Sequence, residues 1–405
     1  MTKLRVGLWV KEDYTPEMGG GFGYYNQIIK SFKEYSFKDA EVVFISNKIN
    51  PSFFLEQKSY QIKTIKPYPK KLTIQKRIIR RIGNVFGQHF FKINQDSIDK
   101  QYLYNLKSEL NQVVDIIYYP TPQEAIPNFP YIYTLWDLGH LSMYAFPEVV
   151  MNRVYESRKQ HHDFFPQKAL MVFCESETGK KEAVKYLNLN EDKIKVVPLF
   201  PSEIINDNIV DRKPIGLNND LFFIHYPAQF WSHKNHYNLL LAFEIVLNKF
   251  PDLKLIFTGS DKGNKEYILK IIQELKLTDS VLDLGFVKTE ELKWLYNHSF
   301  GLVMPTFLGP TNMPLLEAAA LGCPVACTDL PGHIEQLGDY AYYFNPKIPN
   351  DIAIGIEKMI YDRKNNIRKT YYNNFNIENA LKSIDNSFTE IKNIRFCWGS
   401  FDQIF

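Results

Sequence analysis

Short apolar runs alternate with amphipathic stretches along most of this chain. The runs are rich in Val, Ile, Leu and aromatic residues, which is typical of strands buried on both faces of a parallel sheet. In the stretches between most of them, apolar residues recur three or four positions apart, as on one face of a helix. This alternation predicts an α/β protein with doubly wound parallel sheets. The predicted strands are 4–10, 40–47, 115–119, 131–137, 170–175, 193–199, 221–227, 254–259, 281–286, 300–304, 324–328 and 341–344.

The chain is long enough for two domains with separate cores. It has 405 residues, and the polar stretch 204–220, which contains Pro214 and Gly216, is typical of an interdomain linker. This predicts a first domain at 1–203 and a second domain at 221–375. A closing helix is predicted at 376–395, and the aromatic-rich tail 396–405 carries no recognisable motif.

Composition narrows the class of protein. The hydrophobic fraction is 45%, the charged fraction 23% and the net charge +3, which is typical of globular proteins and gives no argument for nucleic acid. The four cysteines form neither a disulfide framework nor a zinc motif, which favours a reducing compartment. The run 4–10 is too short for a signal peptide, and no apolar stretch approaches the roughly 18 to 20 residues of a transmembrane helix. We expect a cytoplasmic protein with no metal and no cofactor.

The stretch 300–335 combines the features of an anion-binding site. A predicted strand, 300–304, is followed by a loop of Pro, Thr, Gly and Asn, and then by a helix that starts at Pro314 and ends near Gly322. Free backbone N–H groups and the positive end of the helix dipole favour a phosphate at such a helix start, at the carboxyl edge of the sheet.

Glu317 is predicted in the first turn of this helix. Its carboxylate can accept hydrogen bonds from the hydroxyl groups of a ribose while the amides around Met313 bind phosphates. A carboxylate in a first turn also stabilises the helix dipole without any ligand. Position alone therefore leaves both interpretations open.

Glycines follow the first predicted strand at Gly19, Gly20, Gly21 and Gly23. Glycine lets a ligand approach the backbone closely. Because many loops are rich in glycine, the pattern alone is only a weak signal of a binding site.

Taken together, these motifs resemble the retaining glycosyltransferases of family 4, also called glycosyl transferases group 1. Glu317 matches the second of two glutamates that flank a short spacer in that family, and Gly309 replaces the first. The segments 322–325 and 332–335 match its G-x-P-V and Gly-x-x-Glu elements. The resemblance covers most of the chain and implies the GT-B fold: two Rossmann-like, doubly wound parallel-sheet domains that face each other across a cleft. It also implies that the helix 376–395 crosses back to the first domain.

The resemblance implies a site for a nucleotide-diphosphate sugar. Lys234 matches a lysine that binds the departing diphosphate, and Gln229 stands where the family has arginine. The segment 284–287 matches a turn that meets the nucleobase, and the early glycines match a loop that faces the phosphates. The implied donor-binding residues are Gly20, Gly21, Gly23, Gln229, Lys234, Gly259, Phe286, Val287, Thr311, Asn312, Met313, Pro314, Leu315 and Glu317.

On the acceptor side, Trp136 and Asp137 stand where the family often has His-Asp, and His140 is a further polar candidate. The Trp136 ring can either stack on a sugar or pack within the protein. The implied catalytic residues are Lys234, Glu317 and Asp137. No carboxylate is identified as a nucleophile. A metal-independent front-face displacement, assisted by the leaving phosphate and passing through an oxocarbenium-like transition state, is therefore expected.

The resemblance leaves the donor open between UDP- and GDP-linked sugars, and the acceptor open between a glycan and a lipid-linked glycan. A nucleotide-sugar epimerase, which also uses two such domains, is one alternative and would release a rearranged sugar without an acceptor. A catalytically silent binding module is the other, because Gln229 and Gly309 replace charged residues of the family.

The segment from Lys58 to Lys92 is basic and amphipathic. It holds many Lys and Arg residues, no acidic residue, and apolar residues at rough helical spacing. Such a segment suits an anionic surface such as the inner face of the cytoplasmic membrane. An ordinary surface helix with its apolar face on the core has the same pattern.

Overall fold

The computed structural model describes residues 3–11, 20–47, 58–64, 87–143, 145–218 and 220–399. Contacts between residues divide the chain into two compact units. Unit 1 consists of residues 1–14, 31–133 and 385–405, and unit 2 consists of residues 15–30 and 134–384. Each unit is therefore assembled from segments that are separated in sequence.

Within the described residues, the first half of the chain contributes a seven-stranded sheet with the order β3-β2-β1-β4-β5-β6-β7. Strand β1 pairs in parallel with β2 and β4, so that Val6 lies opposite Val42 on one side and Ile116 on the other. The strands are β1 (Leu4–Trp9), β2 (Ala40–Ser46), β3 (Ser59–Gln61), β4 (Ile116–Tyr119), β5 (Tyr131–Leu135), β6 (Met171–Cys174) and β7 (Ile194–Val196).

The described strands of the second half form a six-stranded sheet with the order β10-β9-β8-β11-β12-β13. All its pairs are parallel. The strand order reverses between β8 and β11, and in doubly wound sheets ligands bind at the carboxyl ends of the strands at such a switch point. The strands are β8 (Phe223–Pro227), β9 (Lys254–Thr258), β10 (Val281–Asp283), β11 (Leu302–Met304), β12 (Val325–Thr328) and β13 (Tyr342–Phe344).

Helices connect the strands and cover the second sheet. Side chains of its central strands, such as Ile224, Leu255 and Val303, are completely buried in one core with those of the helices. Burial on both faces explains why these strands are apolar without alternation. The α-helices in the described residues are α1 (Gly20–Glu34), α2 (Gly87–Val113), α3 (Gly139–Ser142), α4 (Pro147–Val150), α5 (Val154–Lys168), α6 (Glu177–Leu187), α7 (His236–Leu247), α8 (Lys265–Glu274), α9 (Thr289–His298), α10 (Met313–Ala320), α11 (Pro331–Leu337), α12 (Pro349–Lys364) and α13 (Ile377–Arg395).

The predicted fold class, α/β with doubly wound parallel sheets, is confirmed. Every predicted strand is present but is shortened at one or both ends. Apolar side chains stay buried beyond the hydrogen-bonded ladder, as Val197 does after β7, so the apolar run is longer than the strand. The sequence did not predict β3. That strand has only three residues, and two of them are polar, so it lacks the apolar run that marks the others.

The predicted linker, 204–220, lies in sequence between the last strand of the first sheet and the first strand of the second. The compact units divide the chain elsewhere, because residues 134–203 make their contacts within unit 2. One such contact involves Glu335 of the predicted Gly-x-x-Glu element. Its carboxylate accepts hydrogen bonds from the backbone N–H groups of Glu177 and Thr178 at 2.7 and 2.8 Å, at the start of α6.

Unit 1 is closed by the end of α13. Phe388 packs against Phe37 with ring centroids 5.2 Å apart. Lys392 donates a hydrogen bond to the Asp39 carboxylate, and Thr389 donates another at 3.0 Å. The final residues of the chain therefore help to complete the same core as the first strands.

Two sequence features concern membranes. Among the described helices, none combines the length and the apolar character that crossing a bilayer requires. Most of the basic segment from Lys58 to Lys92 lies outside the described residues, since side chains are described only for 58–64. The membrane prediction for this segment therefore stays a prediction.

Candidate functional site

A cavity of about 950 Å³ lies within unit 2. Several of its lining segments directly follow strands: Trp136 follows β5, Glu175 follows β6, Ala228 follows β8 and Gly259 follows β9. The carboxyl ends of neighbouring parallel strands meet at one edge of a sheet. The loops after β5 and β6 therefore lie together on the first sheet, and those after β8 and β9 lie together on the second. The cavity is thus at the place where doubly wound folds bind ligands.

Most of the predicted site residues line this cavity. They are Gly21, Gly23, Trp136, Asp137, Gln229, Lys234, Gly259, Phe286, Val287, Thr311, Asn312, Met313, Pro314 and Glu317. In the part of the chain that the structure describes, α1 begins at Gly20, so Gly21 and Gly23 lie on a helix and not in a loop.

Two predicted residues that the structure describes do not line the cavity: Leu315 and His140. The surroundings of Gly20 lie outside the description. Leu315 is completely buried, because its side chain faces the core of the second sheet. His140 is also completely buried, with its ring 5.1 Å from that of His162. Burial lowers the pKa of His140 to about 4, so it is neutral at physiological pH. The structure does not support a direct contact between His140 and an acceptor.

Lys234 is held where the loops after β8 and β11 meet. It ends a short 3₁₀ helix, Ser232–Lys234, and its carbonyl accepts a hydrogen bond from the Tyr226 hydroxyl at 2.7 Å. The next residue, Asn235, donates from Nδ2 to the carbonyls of Pro305 and Pro346 at 2.9 and 2.8 Å. These bonds fix the direction in which the lysine side chain leaves the backbone.

The half-buried Lys234 places its ammonium group beside the start of α10. Its Nζ donates to the Oδ1 atom of Asn312 at 3.2 Å. Burial lowers the pKa of Lys234 to about 8, although the negative charge of Asp137 opposes this shift. At neutral pH the lysine therefore carries a positive charge that is poorly solvated, and an anion in the cavity would be attracted to it strongly.

The N-terminus of α10 is braced from α11. The backbone N–H of Asn312 donates to Oε1 of Gln336 at 2.9 Å, and the Asn312 amide lies 2.9 Å from Nε2 of His333. Asn312 makes no side-chain capping hydrogen bond to the helix. The N–H groups of the first turn are therefore not occupied by the side chain that usually caps them.

Glu317 lies in the second turn of α10, because the helix begins at Met313 and its first turn holds no acidic residue. This corrects the predicted position and weakens the dipole interpretation, since that effect is largely confined to the first turn. The Glu317 carboxylate accepts hydrogen bonds from the Ser202 hydroxyl and, at 2.9 Å, from the Tyr296 hydroxyl. Burial raises its pKa, and these two donors oppose the rise.

Gly309 occupies the place of the family's first glutamate. Its φ is +122°, a conformation that favours glycine, and a Cβ atom there would lie 2.7 Å from Nδ2 of Asn312. A glutamate would therefore strain this loop and displace Asn312 from the start of α10. The difference from the family at this position therefore involves the backbone conformation as well as the side chain.

Asp137 forms an ion pair with Arg158. The sequence analysis did not predict this pair. Oδ1 of Asp137 accepts from Nη2 of Arg158 at 2.7 Å and from the Gly139 backbone N–H at 2.9 Å. Burial raises the pKa of Asp137, but Arg158, the Gly139 backbone N–H and His162 together lower it below its ordinary value. The carboxylate is thus ionised and oriented at the cavity wall.

We predict that Arg158→Ala destabilises unit 2 by about 1 kcal/mol at neutral pH, a modest value because the pair is partly exposed. Because folding lowers the pKa of Asp137, its ionised carboxylate stabilises the folded protein at pH values above the pKa that it has in the unfolded chain. This stability is lost as the pH falls through the lower pKa of the folded state. The difference in unfolding free energy between wild type and variant, measured with urea, should therefore shrink in acid.

Lys159→Ala is the matched control for that prediction. Lys159 is the next residue on α5, and it pairs on the surface with Asp163 at 2.8 Å. Its loss should change stability by only a few tenths of a kcal/mol. An Arg158→Ala difference that persists unchanged in acid would contradict the role of Asp137.

A second pair that the sequence did not predict joins Glu148 and His233 at the cavity. Oε1 of Glu148 accepts from the backbone N–H and from Nδ1 of His233, both at 2.8 Å. Burial raises the pKa of Glu148, but the hydrogen bonds from His233 lower it to about 2. Glu148 lies 85 positions before His233 in the sequence. Because His233 precedes Lys234, the Glu148 carboxylate anchors the loop that carries Lys234.

The remaining predicted residues have mixed contacts. Trp136 packs edge-on against Tyr24 with ring centroids 6.0 Å apart, and it also lines the cavity, so it both packs and remains accessible there. Gln229 accepts a hydrogen bond from Nε1 of Trp231 at 3.0 Å. Phe286 is 63% exposed beside Gly285, whose carbonyl accepts from the Gly259 N–H at 2.8 Å. An exposed ring at the predicted base-binding turn suits stacking on a planar ligand.

Comparison with known proteins shows which family this chain resembles. Residues 207–375 match the family model described as glycosyl transferases group 1. An uncharacterized glycosyltransferase of Methanocaldococcus jannaschii is 29% identical over 235 residues, which is 54% of this chain and 59% of that protein. The O-antigen chain mannosyltransferase RfbU of Salmonella typhimurium is 26% identical over 175 residues, 43% of this chain and 46% of that protein. The chain thus matches about half the length of these curated relatives.

A solved structure supports the fold. The crystal structure of the Anabaena protein HepE in complex with UDP and glucose has a TM-score of 0.57 to this chain, with 14% sequence identity. The match covers 97% of this chain and 95% of that one. At this identity the likeness concerns the fold alone, and the fold is the predicted GT-B fold.

Proposed function

We propose that this protein is a retaining, metal-independent hexosyltransferase, since residues 207–375 match the family model of the glycosyl transferases group 1. It takes the sugar from a UDP- or GDP-linked donor and transfers it to a glycan or lipid-linked glycan during polysaccharide synthesis. The observation that carries the proposal is the position of Lys234. Its charged Nζ lies 3.2 Å from Asn312 at the start of α10, in the same cavity as Glu317.

In the proposed reaction, the bond between the sugar C1 and the diphosphate breaks while the acceptor hydroxyl forms a new bond on the same face. Negative charge grows on the leaving diphosphate, and Lys234 and the free N–H groups of α10 stabilise it. The proton of the acceptor hydroxyl passes to an oxygen of the leaving phosphate. Asp137, held by Arg158, binds and orients the acceptor hydroxyl. Glu317 binds the ribose.

The donor assignment has two kinds of support. The HepE structure contains UDP and glucose, whereas RfbU is described as a mannosyltransferase. Thermal denaturation with UDP, GDP and their glucose and mannose conjugates should identify one nucleotide that raises the melting temperature, because it binds only the folded state. A protein stabilised by none of them would overturn the proposed function.

The reaction type is tested with the donor so identified. Transfer to a glycan should give a product whose anomeric configuration, read by NMR, equals that of the donor, and activity should survive EDTA. An inverted product, or loss of activity in EDTA with recovery on adding Mg²⁺, would contradict the retaining or the metal-independent part of the proposal.

A catalytically silent binding module is the second candidate. It is favoured by Gln229, which is uncharged and already bonded to Trp231. Such a module would bind the nucleotide sugar without hydrolysing or transferring it. An epimerase would instead convert the donor sugar with no acceptor present, so product analysis with and without acceptor separates the three.

We also propose that the basic segment from Lys58 to Lys92 brings the enzyme to an anionic membrane surface. Each cation near such a surface contributes on the order of 1 kcal/mol, which salt weakens. The protein should sediment with anionic vesicles, ignore neutral ones and dissociate partly in high salt. Replacing Lys76, Arg77, Arg80 and Arg81 by Gln should abolish binding.

Four exposed lysines of unit 2 provide the matched control for that experiment. Changing Lys249, Lys262, Lys270 and Lys347 to Gln removes the same charge from elsewhere and should leave vesicle binding intact. If both quadruple variants lose binding equally, the attraction depends on net charge and not on this segment.

A further inference from the structure

Glu175 is a cavity residue for which the proposed reaction has no use. It directly follows β6 at the carboxyl edge of the sheet, and its carbonyl accepts a hydrogen bond from the Leu199 N–H at 3.0 Å. The residue is 7% exposed and borders the cavity. Its backbone is thus fixed, and its side chain is withdrawn from bulk solvent.

The Glu175 carboxyl group is incompletely bonded. Its Oε2 atom has no hydrogen-bond partner among the residues that the structure describes. A buried polar atom without a partner costs free energy, so native proteins rarely retain one without a reason. A ligand that enters the cavity would supply the missing partner.

The local structure makes room for this carboxyl group. It lies over the first turn of α6, where a Cβ atom on Gly179 would come within 3.3 Å of both Glu175 oxygens. Ser176 accepts the capping hydrogen bond from the Gly179 N–H at 2.9 Å, so the Glu175 side chain is not needed as the cap. Helix stability therefore does not explain the position of the carboxyl group.

Charge limits the ligands that Glu175 can take. Burial raises its pKa well above the ordinary value, its own backbone N–H opposes this, and the carboxylates of Asp137, Glu182 and Glu335 add to the rise. A neutral carboxyl group both donates and accepts hydrogen bonds, as a hydroxyl group does, and it does not repel a diphosphate in the same cavity.

We propose that Glu175 determines substrate specificity by hydrogen bonding to a hydroxyl group of a sugar bound in the cavity. This inference rests on the proposed glycosyl transfer, and it names a residue for sugar recognition beyond the diphosphate and ribose contacts. The hydroxyl group belongs either to the sugar of the donor or to the acceptor. Both sources share one chemistry, and binding measurements distinguish them.

The test compares Glu175→Leu, which keeps the approximate volume, with Glu175→Gln, which keeps a neutral donor and acceptor. Calorimetry measures the binding of UDP, GDP, UDP-glucose and GDP-mannose, and NMR measures the binding of free glucose and mannose to the nucleotide-saturated enzyme. We expect Glu175→Leu to weaken one sugar-bearing ligand about 2- to 10-fold, the range of a single neutral hydrogen bond, with nucleotide binding unchanged. Glu175→Gln should bind that ligand nearly as tightly as the wild-type protein does.

The pattern of weakened ligands identifies the partner of Glu175. Weaker binding of a nucleotide sugar identifies the donor sugar as the partner, and weaker binding of free glucose or mannose identifies the acceptor. Unchanged binding of all six probes in a folded Glu175→Leu variant would overturn the inference. So would a Glu175→Gln variant as weak as Glu175→Leu, because packing would then explain the loss.

Glu182→Leu is the matched control. Glu182 lies on α6 near the same carboxylates, and burial raises its pKa to about 7, but it does not line the cavity. Its substitution should leave every binding constant unchanged. Failure of this inference is also distinct from failure of the proposed function, since in the latter case the wild-type protein would bind none of the nucleotides.

Discussion

Replacing Lys234 by alanine should lower kcat by about 10²–10³-fold, the loss seen when one preorganised charge-stabilising donor is removed from a transition state. The Michaelis constant for the donor should rise much less, because the charge on the diphosphate grows only as the bond to the sugar breaks. Lys234→Met should behave like the alanine variant, since it keeps the stem of the side chain and loses only the charge.

The protonation state of Lys234 offers an independent measurement. Its pKa is lowered by burial to about 8, so kcat/KM of the wild-type enzyme should fall as pH rises through that value. Activity falls with rising pH because only the protonated amine can stabilise the leaving diphosphate. Equal losses in the binding of donor and product nucleotide, with kcat intact, would refute the catalytic role.

Lys270→Ala is the control for Lys234. Lys270 is exposed on α8 and pairs with Glu274 at 3.5 Å. Its removal takes away the same charge far from the cavity lining and should leave both kcat and the pH profile as in the wild type.

Glu317→Ala should weaken nucleotide binding by about 1.5–3 kcal/mol, roughly 10- to 100-fold in Kd, because a charged hydrogen bond to the ribose is lost. The variant should also unfold more readily. Its substitution leaves the hydroxyl groups of Ser202 and Tyr296 without their acceptor, and an orphaned buried donor costs about 1–3 kcal/mol.

Two measurements separate these effects of Glu317. Calorimetry under conditions where the variant remains folded gives the nucleotide Kd, and urea denaturation gives the stability. Lost stability with an unchanged Kd would show that Glu317 only braces Ser202 and Tyr296. Glu274→Ala, which removes an exposed carboxylate on α8, should alter neither quantity.

Much of the candidate site was predictable because it is encoded locally. Lys234 and Glu317 each stand in a short motif that follows a strand, β8 and β11 respectively, and adjacent parallel strands bring such motifs together at one sheet edge. The strands themselves were predictable for a similar reason. Burial on both faces demands continuous apolar runs, which a sequence displays directly.

The partners of these residues were not predictable, because they lie far away in the sequence and follow no spacing rule. Ser202 is 115 residues from Glu317, and Glu148 is 85 residues from His233. The exposure of His140 was predicted wrongly for a related reason. Its polar neighbours in the sequence suggested an accessible loop, but the segment forms the short helix α3 and the ring is buried. Burial depends on tertiary packing, which local polarity does not report.

The division of the chain also bears on the order in which the protein can fold during synthesis. Unit 1 needs segments from both ends of the sequence, since Phe388 packs on Phe37 and Lys392 bonds to Asp39. A chain that leaves the ribosome with its N-terminus first has therefore made all of unit 2 before unit 1 can be completed. Strands β1, β2 and β4 are therefore translated long before α13, which completes their core.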